Sequence, residues 1–70
     1  MRLTISSEDG RFAAVEVEGV TELSVLRSII EVEIGIPSAQ QVLRLNGRIL
    51  PAEGTVESTG IVQDDMILVA

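Results

Sequence analysis

The stretch TELSVLRSIIEVEIGIP, Thr21 to Pro37, decides the architecture. Within it Leu23, Leu26, Ile30 and Ile34 fall on one stripe at about 100° per residue, so the spacing predicts an amphipathic helix over 22–34. Thr21 is placed as its N-cap. Gly35 supplies the left-handed residue that ends many helices, Ile36 can make the accompanying apolar contact, and Pro37 prevents continuation. A second apolar stripe, Val25, Ile29 and Val32, lies on the opposite side. It reads either as a partner or self-association surface, or as three separated aliphatics among Glu22, Arg27 and Glu33. The second reading is favoured.

On both sides of this helix the period changes to that of strands. Leu3 and Ile5 alternate with Arg2, Thr4 and Ser6. Glu8-Asp9-Gly10 interrupts, and Asp-Gly predicts a hairpin turn with positive φ at both positions. A second alternation then faces Ala13, Val15 and Val17 one way and Ala14, Glu16 and Glu18 the other. After Pro37, Val42–Leu45 and Arg48–Leu50 flank Asn46-Gly47, another type I′ hairpin signal. Pro51 to Gly60 reads as a polar loop with Val56 reaching back to the core and Ile61 anchoring its end. In the last strand, Met66 to Ala70, Ile67 and Val69 point inward, while Met66, Leu68 and Ala70 point outward. The order ββαββ-loop-β describes an α+β fold in which one helix packs on one face of a small mixed sheet. One helix covers only one face, so the other must meet solvent or a partner. The crossover through the helix should be right-handed. Periodicity does not settle the strand order.

Composition narrows the function classes. The chain has 70 residues, 46% of them hydrophobic, which makes one domain; at this size only about 60% of the unfolded surface is buried. No apolar run approaches the roughly 18 residues of a membrane span, and the N-terminus lacks a secretory pattern. There is no histidine, which removes the commonest general base. Phe12 is the only aromatic residue, so no base-stacking platform can form. A net charge of −6 repels nucleic acid and anionic lipid. The absence of cysteine fits the cytoplasm or nucleus. Lysine is absent too, the basic residues being Arg2, Arg11, Arg27, Arg44 and Arg48, so no side-chain amine is available for acylation. Glu31 with Glu33, and Asp64 with Asp65, read as solvated charge rather than catalytic pairs, with no pocket expected to gather them. Neither a Ca²⁺-loop spacing nor a phosphate loop is present. No enzyme activity, metal or cofactor is expected of this domain.

Some residues carry a resemblance. Glu16-Val17-Glu18, Gly35-Ile36-Pro37 and Gln40-Gln41, with Leu43, Gly47, Leu50, Thr55 and Ile61 at matching intervals, resemble ubiquitin across the whole chain. The resemblance implies a β-grasp fold with the first and last strands paired in parallel at the centre of the sheet. It gathers Leu3, Ile5, Val15, Val17, Leu23, Leu26, Ile30, Leu43, Leu50, Val56, Ile61, Ile67 and Val69 into one core. More narrowly, Leu3-Thr4-Ile5-Ser6, Glu31 to Pro37, and Ala39 resemble the N-terminal domain of the DNA-damage-inducible shuttle proteins. Those proteins carry a retroviral-type aspartyl protease further on, and some add a ubiquitin-binding helical module. On that resemblance residues 1–70 form the N-terminal part of a longer protein; the protease triplet is not among them.

The departures from ubiquitin set the functional expectation. The sequence reaches Ala70 without a paired-glycine tail, so a conjugated modifier is not expected. Positions matching ubiquitin's lysines hold Ser6, Arg11, Arg27, Ile29, Glu33, Arg48 and Gln63, and a permanently protonated arginine is no nucleophile. The apolar patch through which ubiquitin-like domains meet receptors corresponds here to Glu8, Arg44, Leu68 and Ala70. Val42, Gly47, Arg48, Ile49 and Met66 flank it, with Arg44 at the centre. The expected partners are ubiquitin or proteasomal ubiquitin receptors, the domain itself being a monomer. Receptors that need an apolar residue at the centre should bind weakly, because an arginine buried without an acid is costly. One presenting an acid opposite Arg44 and Arg48 should gain a bidentate contact. The alternative is a regulatory module packing on its own downstream domain or on another copy.

Overall fold

The alternation just described becomes two faces of one sheet. The computed structural model describes residues 1–70. Strands β1 (Arg2–Ser7) and β2 (Phe12–Glu16) form the first hairpin, and α1 spans Leu23–Ile34. Strands β3 (Leu43–Leu45) and β4 (Arg48–Ile49) form the second hairpin, and β5 (Met66–Val69) completes the sheet. The strand order is β2-β1-β5-β3-β4. Only β1 and β5 run parallel, with Ile5 beside Ile67 and Ser7 beside Val69. This is the β-grasp arrangement.

Between α1 and the sheet lies a core of 15 buried apolar residues. It contains all the expected core residues and adds Ile34, from the helix stripe, and Leu45, the inward residue at the end of β3. The Pro51–Gly60 stretch holds more structure than a polar loop. Val56 is fully buried, and the 3₁₀ turn Glu57–Thr59 is tied back by Thr59 Oγ1 donating to the Val56 carbonyl at 2.7 Å.

The helix start differs from the expectation. Thr21 is not the N-cap: its Oγ1 accepts from the Glu18 amide at 3.1 Å, closing its own turn. Glu22 occupies that position with no side-chain cap, and the Leu23 amide instead donates to the Gly54 carbonyl at 2.9 Å. A distant backbone carbonyl thus satisfies one of the orphan donors of the first turn. The other end is as expected, with Gly35 at φ 90° and its amide on the Glu31 carbonyl. The Arg11 guanidinium also donates to the Ile34 carbonyl, placing a cation at the negative end of the helix dipole.

The two hairpin turns part company. Asn46 and Gly47 have φ of 52° and 82°, the type I′ geometry expected of Asn-Gly. In the first turn only Gly10 is left-handed, at 90°. The Ser7 amide donates to the Arg11 carbonyl at 2.8 Å and the Gly10 amide to the Ser7 carbonyl at 3.1 Å. The loop is therefore the three residues Glu8–Gly10, a turn closed by a left-handed glycine. Asp9 is held by its own side chain, which accepts from the Ser7 hydroxyl and pairs with Arg11 at 2.6 Å.

Candidate protein-binding face

Because side chains alternate along a strand, the residues that leave the core define the open face. Register places Phe12, Ser6, Leu68, Arg44 and Ile49 in one row across all five strands. At about 4.8 Å per strand spacing the row is about 19 Å long. Ala14, Thr4 and Met66 form the next row. Val42, just before β3, and Ala70, just after β5, exchange backbone hydrogen bonds at 3.4 and 3.0 Å, so these two expected residues also sit side by side. No other part of the chain covers this face: Phe12 is 67% exposed, Met66 55%, and Leu68, Val42 and Ile49 are also exposed.

Arg44 stands between Leu68 and Ile49 in the row. The chain's ion pairs are Met1 with Glu16 and Arg11 with Asp9, so Arg44 has no acid. Arg11, Arg27 and Arg48 all donate to backbone carbonyls. Arg2, the other unpaired arginine, lies at the corner of the face opposite Glu16 in register. Arg44 alone sets a free cation among apolar side chains.

Arg48 does not join it. Its register partner is Leu45, whose side chain is in the core, so Arg48 leaves the edge strand on the helix side. Its Nη2 donates to the Thr59 carbonyl at 3.0 Å. Two arginines converging on one acid is therefore corrected to Arg44 alone. Gly47 lies at the exposed tip of the second hairpin, beyond the row. At the other rim the Glu8 amide reaches the Val69 carbonyl at 3.3 Å, fixing the first turn beside the end of β5. In that turn the Arg11 guanidinium, and after it the Ser7 hydroxyl, hold the Asp9 carboxyl well below the usual carboxylate range.

The helix stripe is interrupted. Val32 is 82% exposed and Val25 about half exposed, but Ile29 between them is partly buried against the core. A cleft of about 450 Å³ does occur, contrary to expectation, between the start of α1 and the 52–55 loop. Its lining includes Glu22 and Glu53 but neither of the acid pairs. Asp65 instead accepts from the Val62 amide at 3.0 Å and braces the turn before β5.

The ubiquitin family model matches residues 3–70 of this chain. The chain belongs to the ubiquitin family. No curated protein matches it in sequence. Within this ubiquitin-like domain Val42, Arg44, Leu68 and Ala70 lie together on the open face, with Arg44 and Leu68 in register. Reading from the sequence missed Phe12, Thr4 and Ser6 as residues of that face. Their parity was visible, since Phe12 alternates with Ala13. Their place beside Met66 and Leu68 depends on the parallel pairing of β1 with β5.

Proposed function

We propose that this ubiquitin-like domain is an adaptor that docks ubiquitin or proteasomal ubiquitin receptors on its open sheet face rather than being conjugated to substrates. The observation that carries this reading is the uncovered group of Val42, Leu68 and Ile49 around an unpaired Arg44, an apolar patch of the kind that marks interfaces. Membership of the ubiquitin family supports a protein-binding role. The narrower resemblance through Leu3-Thr4-Ile5-Ser6 and Glu31 to Pro37 supports a place in a shuttle of the DNA-damage-inducible type, acting in the cytoplasm or nucleus with a protease domain elsewhere in the chain. Titration of the ¹⁵N-labelled domain with ubiquitin, and separately with a proteasomal ubiquitin receptor, should shift Val42, Arg44 and Leu68. Unshifted resonances there with both probes would refute the reading. Thioester formation by the full natural chain with a ubiquitin-activating enzyme would favour a modifier. Concentration-dependent sedimentation abolished by Val25→Ser with Val32→Ser would favour the self-associating alternative.

A further inference from the structure

We propose that Asn46 is a self-modification site, where the main-chain nitrogen of Gly47 displaces the side-chain amide and leaves aspartate or isoaspartate in the second hairpin turn. Two turns of this chain place a glycine after an Asp or Asn side chain, Asp9-Gly10 and Asn46-Gly47. The same ring closure is conceivable in both, and the structure separates them. In the first turn both reactants are held. The Gly10 amide donates to the Ser7 carbonyl at 3.1 Å, and the Asp9 carboxyl accepts from the Ser7 hydroxyl and from Arg11 Nε at 2.8 Å. Arg11 also keeps that carboxyl ionised, and a carboxylate resists attack by a nucleophile. In the second turn both reactants are free. The Gly47 amide donates to no acceptor in the chain, and the Asn46 carboxamide makes no hydrogen bond. Both residues are exposed, and a methyl group built on Gly47 would meet nothing within 4 Å. Asn46 is the only asparagine of the chain.

The reaction needs only water. The Gly47 nitrogen gives its proton to solvent and bonds to Asn46 Cγ; glycine has no Cβ to crowd that close approach. The Cγ–Nδ2 bond then breaks, its electron pair stays with nitrogen, and Nδ2 takes a proton from water and leaves as ammonia. Water opens the resulting imide ring at either carbonyl. Opening at Cγ gives aspartate, and opening at the main-chain carbonyl gives isoaspartate, whose backbone runs through Cβ and Cγ. Either product sets a new carboxylate midway along the chain between Arg44 and Arg48. Isoaspartate also lengthens the backbone of a tight turn, where register pairs Leu45 with Arg48 and Leu45 belongs to the core.

The test incubates the folded domain at neutral and at mildly alkaline pH, beside a peptide of residues 44–49 as an unrestrained reference. Peptide mass mapping should find the amide at position 46 replaced by a carboxyl, faster at the higher pH because the attacking nitrogen must lose its proton. A protein isoaspartyl methyltransferase should then transfer labelled methyl from S-adenosylmethionine to the product. Asn46→Gln keeps a carboxamide but demands a larger ring, so the label should be lost. A folded domain that keeps Asn46 intact while the peptide loses most of its amide would overturn the proposal. So would isoaspartate at Asp9 in equal yield, because one turn must be free and the other held. A mass change at position 46 without methyl acceptance would mean direct hydrolysis, and the ring closure would fall.

Discussion

Ile67 and Leu68 are consecutive residues of one central strand, yet they meet opposite surroundings. Ile67 is fully buried beneath α1, and Leu68 is 40% exposed beside Arg44. The helix side is a filled volume in which each side chain is held by several others. On the open side each side chain is held only by its cross-strand neighbours. Stability and recognition are thus divided between alternate positions of the same strands. Changes of similar size should act on different observables according to parity.

The largest expected effect tests the filled side. Ile67→Ala should destabilise the domain by about 2–5 kcal/mol, much of the stability available to a chain this small. Chemical denaturation followed by circular dichroism would read it; a loss below about 1 kcal/mol would contradict a rigid core there. Next is Gly47→Ala. No atom lies within 4 Å of the added methyl, so the effect isolates backbone strain at φ 82° and should be about 1–2 kcal/mol. A smaller effect on stability sharpens the contrast between neighbours: Leu68→Ser should change stability by only about 0.5 kcal/mol while abolishing the chemical-shift response to the bound probe. A large fall in melting temperature would mean that the open face is part of the core.

The smallest effect lies at the rim. Asp9 has a depressed pKa in the folded state, caused first by Arg11. Its contribution to stability is therefore present above the ordinary carboxylate value and disappears as pH falls from about 4 towards the lower folded-state value. Asp9→Asn should flatten that part of the acid limb and leave the slope above pH 5 unchanged. An unaltered acid limb would show that the Ser7–Asp9–Arg11 cluster does not persist in solution.

The parts of the molecule that could be read in advance share one property: their signal is local. The helix stripe of Leu23, Leu26, Ile30 and Ile34, the stop at Gly35, and the left-handed pair Asn46-Gly47 each depend on residues within a few positions. One error is local, since the Asp9-Gly10 turn takes positive φ only at Gly10; the others involve distant partners. Thr21 was a reasonable cap until the Gly54 carbonyl reached the Leu23 amide. Arg48 resembled a companion for Arg44 until its register with Leu45 and its bond to the Thr59 carbonyl set it on the other side. The favoured reading of Val25, Ile29 and Val32 as separated aliphatics agrees with Ile29 packing against the core.

Taken alone, the amino-acid order determined which side chains alternate, where one helix starts its period and stops, and which chemistries lack their residues. Periods of 2 and 3.6 are properties of the backbone, and absent side chains cannot be supplied by folding. Tertiary structure decided which strands are neighbours, and so what stands beside what. The parallel register of β1 on β5 joins residues about sixty positions apart, and no local rule of the chain encodes it. That register brings Phe12, Ser6, Leu68, Arg44 and Ile49 into one row, because only the close packing of the shared core selects one alignment of the strands from the many that alternation permits.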